Sequence, residues 1–339
     1  MSLFANKIGI DLGTANVLVY IPGKGVVLNE PSVVAISESD KKILAVGQEA
    51  KVMIGRTPDD IIAYRPMKNG VIADYRVAEA LLAYCMRKAL GRFNMIKPDV
   101  LISVPAGVTS TERRAVVEAA IKAGASQAYV VKEPILGAIG GGIRIEEPGG
   151  HMIVDIGGGT TDVAVISLGG IVASTSVKCA GDAIDRAIID YVKKQYNLAI
   201  GDKTAERIKV EIAAALPMSD DEQGHIDIAG RDYISGLPRT ITLTTNEIVV
   251  AITRELHQIT QAVKEVLAET PPELASDIIE RGILMTGGTS QLMLLPELIK
   301  KVTGVNAYLT ENPLFAVAEG TGKALKHMNV YKRSIIAKK

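Results

Sequence analysis

The sequence predicts a duplicated α/β fold: two similar halves, each a mixed sheet with a face of helices and a smaller inserted subdomain, meeting at one cleft. Three observations carry this prediction. A strand–turn–strand unit occurs twice. Each copy leads into a third short strand and then into a helix–strand–helix pattern. The chain, at 339 residues, is long enough to bury the cores of two such domains.

The first copy reads Ile8-Gly-Ile-Asp11-Leu-Gly13-Thr14-Ala15-Asn16-Val-Leu-Val-Tyr20. The second reads Ile153-Val-Asp155-Ile-Gly157-Gly158-Gly159-Thr160-Thr161-Asp162-Val-Ala-Val-Ile166. Both start as an apolar strand that ends in Asp, pass through a Gly/Thr turn, and leave as an alternating strand. The third strands fall at 25–29 and 170–176.

In the first half, Val77, Leu81, Tyr84 and Ala89 lie at helical spacing. Asp99–Val104 reads as a buried strand, 112–124 as a helix closed by glycine, and Gln127–Lys132 as a further strand. In the second half, Ile252, Leu256, Ile259, Val263 and Val266 mark a long amphipathic helix. A strand at 282–285, a helix at 291–302 and a closing helix at 313–327 follow. Insertions of mixed short elements occupy about 32–65 and 181–244. The expected division is therefore 1–145, with 313–339 packing back, and 146–312.

Composition narrows the function. Hydrophobic residues make up 47% and charged residues 22%, a globular balance. Aromatics are only 4%, so the core must be aliphatic. Lys+Arg and Asp+Glu both number 38, which argues against nucleic acid as a partner and imposes little self-repulsion on association. Cys85 and Cys179 sit in apolar patterns and read as reduced core thiols. The four histidines are scattered, so no zinc site is expected. No apolar run reaches the ~20 residues of a spanning helix, and no signal peptide precedes Lys7. These features point to a cytoplasmic protein.

A strand ending in Asp before a Gly-rich hairpin suits phosphate binding. Glycine admits close backbone approach, and turn amides can face an anion. Asp11 and Asp155 are placed to hold the waters of a bound Mg2+. The turns offer Gly13, Thr14, Ala15 and Asn16, and Gly157, Gly158, Gly159, Thr160 and Thr161. Each turn alone could be an ordinary tight turn; the matched pair argues for a shared ligand. Gly287-Gly288-Thr289 is either a third ligand contact through a helix N-terminus or a plain strand-to-helix turn. Glu133, ahead of Pro134, either favours its own helix dipole or faces the cleft and orients water. Glu206 and Lys209, three apart on a helix, are either a solvated ion pair or cleft residues.

Taken together, these motifs resemble the actin-like ATPase superfamily, and in particular its bacterial actins, over essentially the whole chain from Ile8 to about His327. The motifs are Asp11–Asn16, Val104-Pro105-Ala-Gly107, Glu112-Arg113-Arg114-Ala115-Val116, Glu133-Pro134, the Asp155–Ile166 run and Ala205-Glu206-Arg-Ile-Lys209-Val-Glu211-Ile212. The resemblance implies an actin-like (ribonuclease H-like) fold with ATP in the central cleft. It implies that Asp11 and Asp155 position Mg2+ and that both hairpins grip the phosphates. Glu133 and Thr160 would position the hydrolytic water, and Glu206 and Lys209 would contact ribose and adenine, with Gly287 and Gly288 on the other side. It further implies slow ATP hydrolysis, self-assembly into paired filaments at the inner membrane surface, and guidance of cell-wall synthesis through membrane-linked partners. Three positions depart from the pattern: Gly287-Gly288-Thr289 lacks a third glycine, Cys179-Ala180-Gly181-Asp182 replaces a more Gly-rich stretch, and Thr111 stands where an apolar inter-filament residue is common.

Membrane contact is expected at two places. The loop at 91–98 carries Phe93, Met95 and Ile96 between cations, suited either to an anionic bilayer interface or to packing under the domain. Lys323, Lys326, Lys332, Arg333, Lys338 and Lys339 form an acid-free basic tail, and Leu3 and Phe4 could add a little. Three rivals share the fold class, one of them a plasmid-segregating or division-related actin relative that differs in partners more than in chemistry. A heat-shock-type chaperone would need a peptide-binding domain after the nucleotide domain. A metabolite kinase would need a cleft Asp beyond Asp11 and Asp155 to deprotonate a hydroxyl.

Overall fold

The computed structural model of the chain describes residues 7–40, 42–58, 60–68, 71–91 and 96–328, with 331 and 336–337. Two large sheets share one topology. In the first, Gly25–Pro31, Asn16–Ile21 and Lys7–Leu12 form an antiparallel meander. Asp99–Val104 and Gln127–Lys132 extend it in parallel, and Ile336–Ala337 pairs antiparallel at the edge. In the second, Gly170–Val177, Thr161–Ser167 and His151–Ile156 form the meander, with Ile283–Thr286 and Ala307–Leu309 in parallel beyond them. The registers also match: Asp11 lies opposite Leu18, and Asp155 opposite Asp162. The sequence repeat is thus a repeat of strand order, direction and register.

Helices cover the parallel strands, so Asp99–Val104 is buried at all six positions. Two helices begin with reciprocal capping boxes, Thr109 with Glu112 before Ser110–Lys122 and Thr244 with Glu247 before Thr245–Glu269. The 25-residue helix buries Ile248, Ile252, Leu256, Ile259, Val263 and Val266, the stripe its periodicity predicts. The first insertion forms a three-stranded sheet, Ile43–Val46, Val34–Ser37 and Ile61–Tyr64, with the short helix Gln48–Met53. The second carries Leu198–Ala199, His225–Asp232 and Pro238–Thr244 beside the helices Gly181–Tyr196 and Asp202–Ile212.

Between the two sheets, Glu133–Gly140 packs on Ala316–Lys326, sharing a core with Leu101, Ile153 and Leu284. The two helices approach through glycine: a Cβ on Gly140 would overlap the Ala316 carbonyl, and one on Gly320 the Leu136 carbonyl.

Two helix expectations are corrected. The segment expected as one helix at 291–302 is a single 3-10 turn, Gly288–Gln291, then a break, then Leu295–Thr303. Leu294 takes a left-handed φ of 58°, which interrupts any continuous helix there. The closing helix starts at Ala316 rather than 313, because the Pro313 carbonyl accepts from the Gly287 amide at 2.9 Å and is held at the strand end.

Candidate functional site

A cavity of about 550 Å³ opens between the halves, within the size range of small-molecule sites. Asp11, Gly13, Thr14, Ala15 and Asn16 line it from the first hairpin; Asp155, Gly157, Gly158, Gly159 and Thr160 line it from the second. Glu133, Glu206, Lys209, Gly287 and Gly288 complete the walls. The two turns nearly touch, since a Cβ on Gly159 would meet Thr14 Oγ1 at 2.5 Å and one on Gly158 the Ala15 Cβ at 2.7 Å.

The paired aspartates are held in the same way. Ser103, on the parallel neighbour of the first strand, donates to Asp11 at 2.6 Å. Thr286, on the parallel neighbour of the second, donates to Asp155 at 2.7 Å. Burial pushes Asp11 up to about 6 and Asp155 up to about 7, against the lowering effect of those hydroxyls. Glu133, first residue of its helix and 8% exposed, is raised well above the ordinary range by burial and then by Asp162, Asp11 and Asp155.

The second hairpin is tied from behind. The Gly157 carbonyl accepts from the Gly181 amide at 3.2 Å and from Thr289 Oγ1 at 2.7 Å, and the Gly158 carbonyl from the Asp182 amide at 2.7 Å. With its carbonyls engaged there, the turn is suited to present amide dipoles to an anion. Gly287 has φ 87°, and a Cβ there would overlap the Ile156 carbonyl, so only glycine fits against this hairpin.

One expected residue stands apart. Thr161 is wholly buried, does not line the cavity, and donates its hydroxyl to the Cys179 carbonyl at 2.6 Å. The strand begins at Thr161, so its side chain takes an inner strand position while Thr160, in the turn before it, lines the cavity. Glu206 and Lys209 both reach the cleft but do not pair with each other. Lys209 bonds Asp185 at 2.9 Å and the Gly181 carbonyl at 3.2 Å, while Glu206 faces Lys51 at 3.4 Å.

Sequence reasoning missed Arg65, Asp182 and Asp185 in the cavity wall, and Asp162 behind it. Asp162 is fully buried and accepts from the Ala106 amide at 2.6 Å. Its signal was available, because a residue directly opposite Asp155 in a hairpin shares its face. Phe93 and Met95 lie outside the described residues, as do Leu3, Phe4, Lys332, Arg333, Lys338 and Lys339. Ile96 is 51% exposed. Among the described residues, no helix is long and apolar enough to cross a membrane.

The donor set suits Mg2+. Asp11 is a half-buried and Asp155 a buried carboxylate at facing strand ends, and no group of three or more His, Cys, Asp or Glu among the described residues could enclose a metal. Such a pair matches a cation that keeps waters and shares phosphate oxygens rather than one caged by protein.

Residues 5–333 match the family model described as MreB/Mbl protein. The chain belongs to the MreB/Mbl family. It is 50% identical over 327 residues to the cell shape-determining protein Mbl of Bacillus subtilis (strain 168), covering 96% of this chain and 98% of that one. It is 49% identical over 334 residues to the cell shape-determining protein MreB of Escherichia coli (strain K12), covering 97% and 96%. Among solved structures, MreB5 of Spiroplasma citri bound to AMPPNP superposes with a TM-score of 0.91 at 38% identity, covering 98% of this chain and 99% of that one. The MamK double helical filament, at 21% identity and a TM-score of 0.79, shares the fold. The fold is actin-like, and the MreB/Mbl family gives the chain a place among the bacterial cytoskeletal actins.

Proposed function

We propose that the chain is an ATP-dependent, filament-forming bacterial actin that works at the inner membrane surface to maintain cell shape and guide wall synthesis. The observation that carries the nucleotide reading is the pair of matched hairpins, each with a hydroxyl-held aspartate, facing one cavity. The Spiroplasma MreB5 structures with AMPPNP and with ADP support it.

In this reading the hairpin amides grip the phosphates, Glu206 and Lys209 contact ribose and adenine, and Gly287 and Gly288 let the nucleoside lie close to the backbone. Asp11 and Asp155 would hold Mg2+, which supplies charge neutralisation to the phosphates when bound. Glu133 accepts a hydrogen bond from the attacking water, and the Thr160 hydroxyl fixes that water from the opposite side. Among the described residues lining the cleft the one guanidinium is Arg65, and it is bound to Asp182. With that arginine engaged elsewhere, turnover is slow and times assembly. The domain division follows the sheets, 1–145 with 313–339 and 146–312, so that closure over ATP selects the assembling shape. Subunits then repeat head to tail into paired open filaments.

Electron microscopy of the purified chain with Mg-ATP, with and without anionic liposomes, tests this. Filaments lying on the vesicles support the whole reading. Filaments that ignore lipid remove the membrane surface from it. Monomers that bind ATP under every condition overturn the cytoskeletal role.

A further inference from the structure

We propose that Arg65 is a positioning residue: with Asp182 it forms a latch across the mouth of the cleft that governs how long nucleotide is retained. The proposal rests on the nucleotide reading above and assigns the cleft a gate. Arg65 follows the strand Ile61–Tyr64, so it rides on the small subdomain inserted in the first half. Asp182 lies in the first turn of Gly181–Tyr196, in the second half. Their side chains meet at 2.6 Å, and both residues line the cavity.

The bond joins more than two surfaces. The amide of Asp182 donates to the Gly158 carbonyl, so the residue that holds Arg65 is fixed by its backbone to the second phosphate hairpin. A shift of that hairpin is transmitted to Asp182, and through it to the small subdomain of the other half. The guanidinium also lies in the field of Glu206 and Asp185, which pair in turn with Lys51 and Lys209. The side chains of Arg65 and Asp182 are 33% and 21% exposed, so the pair is partly desolvated and less screened than a surface pair. Lys51 and Glu206 make a second cross-cleft contact at 3.4 Å, longer and more open, which adds less.

A latch and a direct phosphate ligand differ in one respect. A latch needs both the cation at position 65 and the carboxylate at position 182. A phosphate ligand needs the cation at position 65. Release of ATP labelled on its α-phosphate, chased with excess unlabelled Mg-ATP below the assembly concentration, separates them. Arg65→Ala and Asp182→Asn should each release label about tenfold faster than the unaltered chain. The double variant, Arg65→Ala with Asp182→Asn, should release no faster than either single variant, because the two changes break one bond. Unchanged release in the folded single variants overturns the latch. Fast release in Arg65→Ala with unchanged release in Asp182→Asn also overturns it, and assigns Arg65 to the phosphates. Asp182→Asn keeps the size of the side chain, so it reads the latch even if Arg65→Ala fails to fold. An unaltered chain that retains no label overturns the nucleotide reading itself, and the latch with it.

Discussion

Thr286 donates its hydroxyl to Asp155 at 2.7 Å from the neighbouring parallel strand. Ser103 does the same for Asp11 at 2.6 Å in the other half. The hydroxyl aims the carboxylate and favours its charged form against burial. Thr286→Val keeps the shape and removes the donor, so Mg-ATP affinity should fall about tenfold with little change in fold. Asp155→Ala should weaken binding further. Calorimetric titration with Mg-ATP measures both, and equal affinity in the two variants and the unaltered chain would remove the metal role from Asp155.

Glu133 has a different expected signature. It sits on the cavity wall beside three other carboxylates and contributes orientation of water rather than affinity. Glu133→Ala should bind ATP almost normally and release phosphate about a hundredfold more slowly. Phosphate release measured at saturating ATP decides this; equal turnover excludes Glu133 from the reaction.

The same buried acids give the ligand-free chain a pH signature. Asp155 moves from 3.8 to about 7 and Asp11 from 3.8 to about 6, so between about pH 4 and 7 the folded state binds more protons than the unfolded one. Stability must then fall as pH rises through that window. Asp155 alone accounts for a decline on the order of 3 kcal/mol. Thermal melting in EDTA should show Tm falling from pH 5 to 7.5, with Asp155→Asn flattening the curve. A Tm that rises over that range would contradict the burial of these carboxylates.

How much of this was legible beforehand follows from the range of each interaction. The hairpins, Asp11, Asp155 and Glu133 announce themselves locally, through strand alternation, glycine turns and Pro134. The strand Asp99–Val104 was readable to the residue because both its faces are buried and it is apolar after its first residue, with only Ser103 interrupting. Arg65 was not readable, because its partner is 117 positions away and nothing near Arg65 marks it as facing a cleft. The Thr161 side chain lies behind the cavity for a local reason: a Thr-Thr pair gives no hint of which residue faces the cleft until the strand direction is fixed. The break at Leu294 was missed because an apolar run that bends looks like one that continues.

Glu30 anchors the first small subdomain. Its carboxylate accepts from the Gln48 amide at 2.9 Å and from Lys88 Nζ at 2.5 Å, tying the helix Gln48–Met53 to the helix Tyr75–Leu90. Glu30→Ala leaves that amide and ammonium without this acceptor, at a cost of about 1–3 kcal/mol. Hydrogen exchange should speed up across residues 48–53 while the large sheets stay protected. Uniform exchange across the chain would show that the subdomain is not held from this point.

Gly320 inverts the usual helix rule. In the middle of Ala316–Lys326, replacing glycine by alanine should by propensity stabilise the helix by about 1 kcal/mol. Here a Cβ would overlap the backbone carbonyl of Leu136, and neither backbone can move without separating the two central helices. Overpacking of this kind costs about 1–3 kcal/mol or more, so the sign reverses. Gly320→Ala should lower Tm and weaken ATP binding, because Glu133 begins the helix that would be displaced. A control such as Gly170, whose added Cβ would meet only the Ser167 carbonyl at an ordinary 3.8 Å, should show neither effect. A Gly320→Ala chain as stable as the parent would mean the two helices are free to separate, and that the glycine contact does not set their distance.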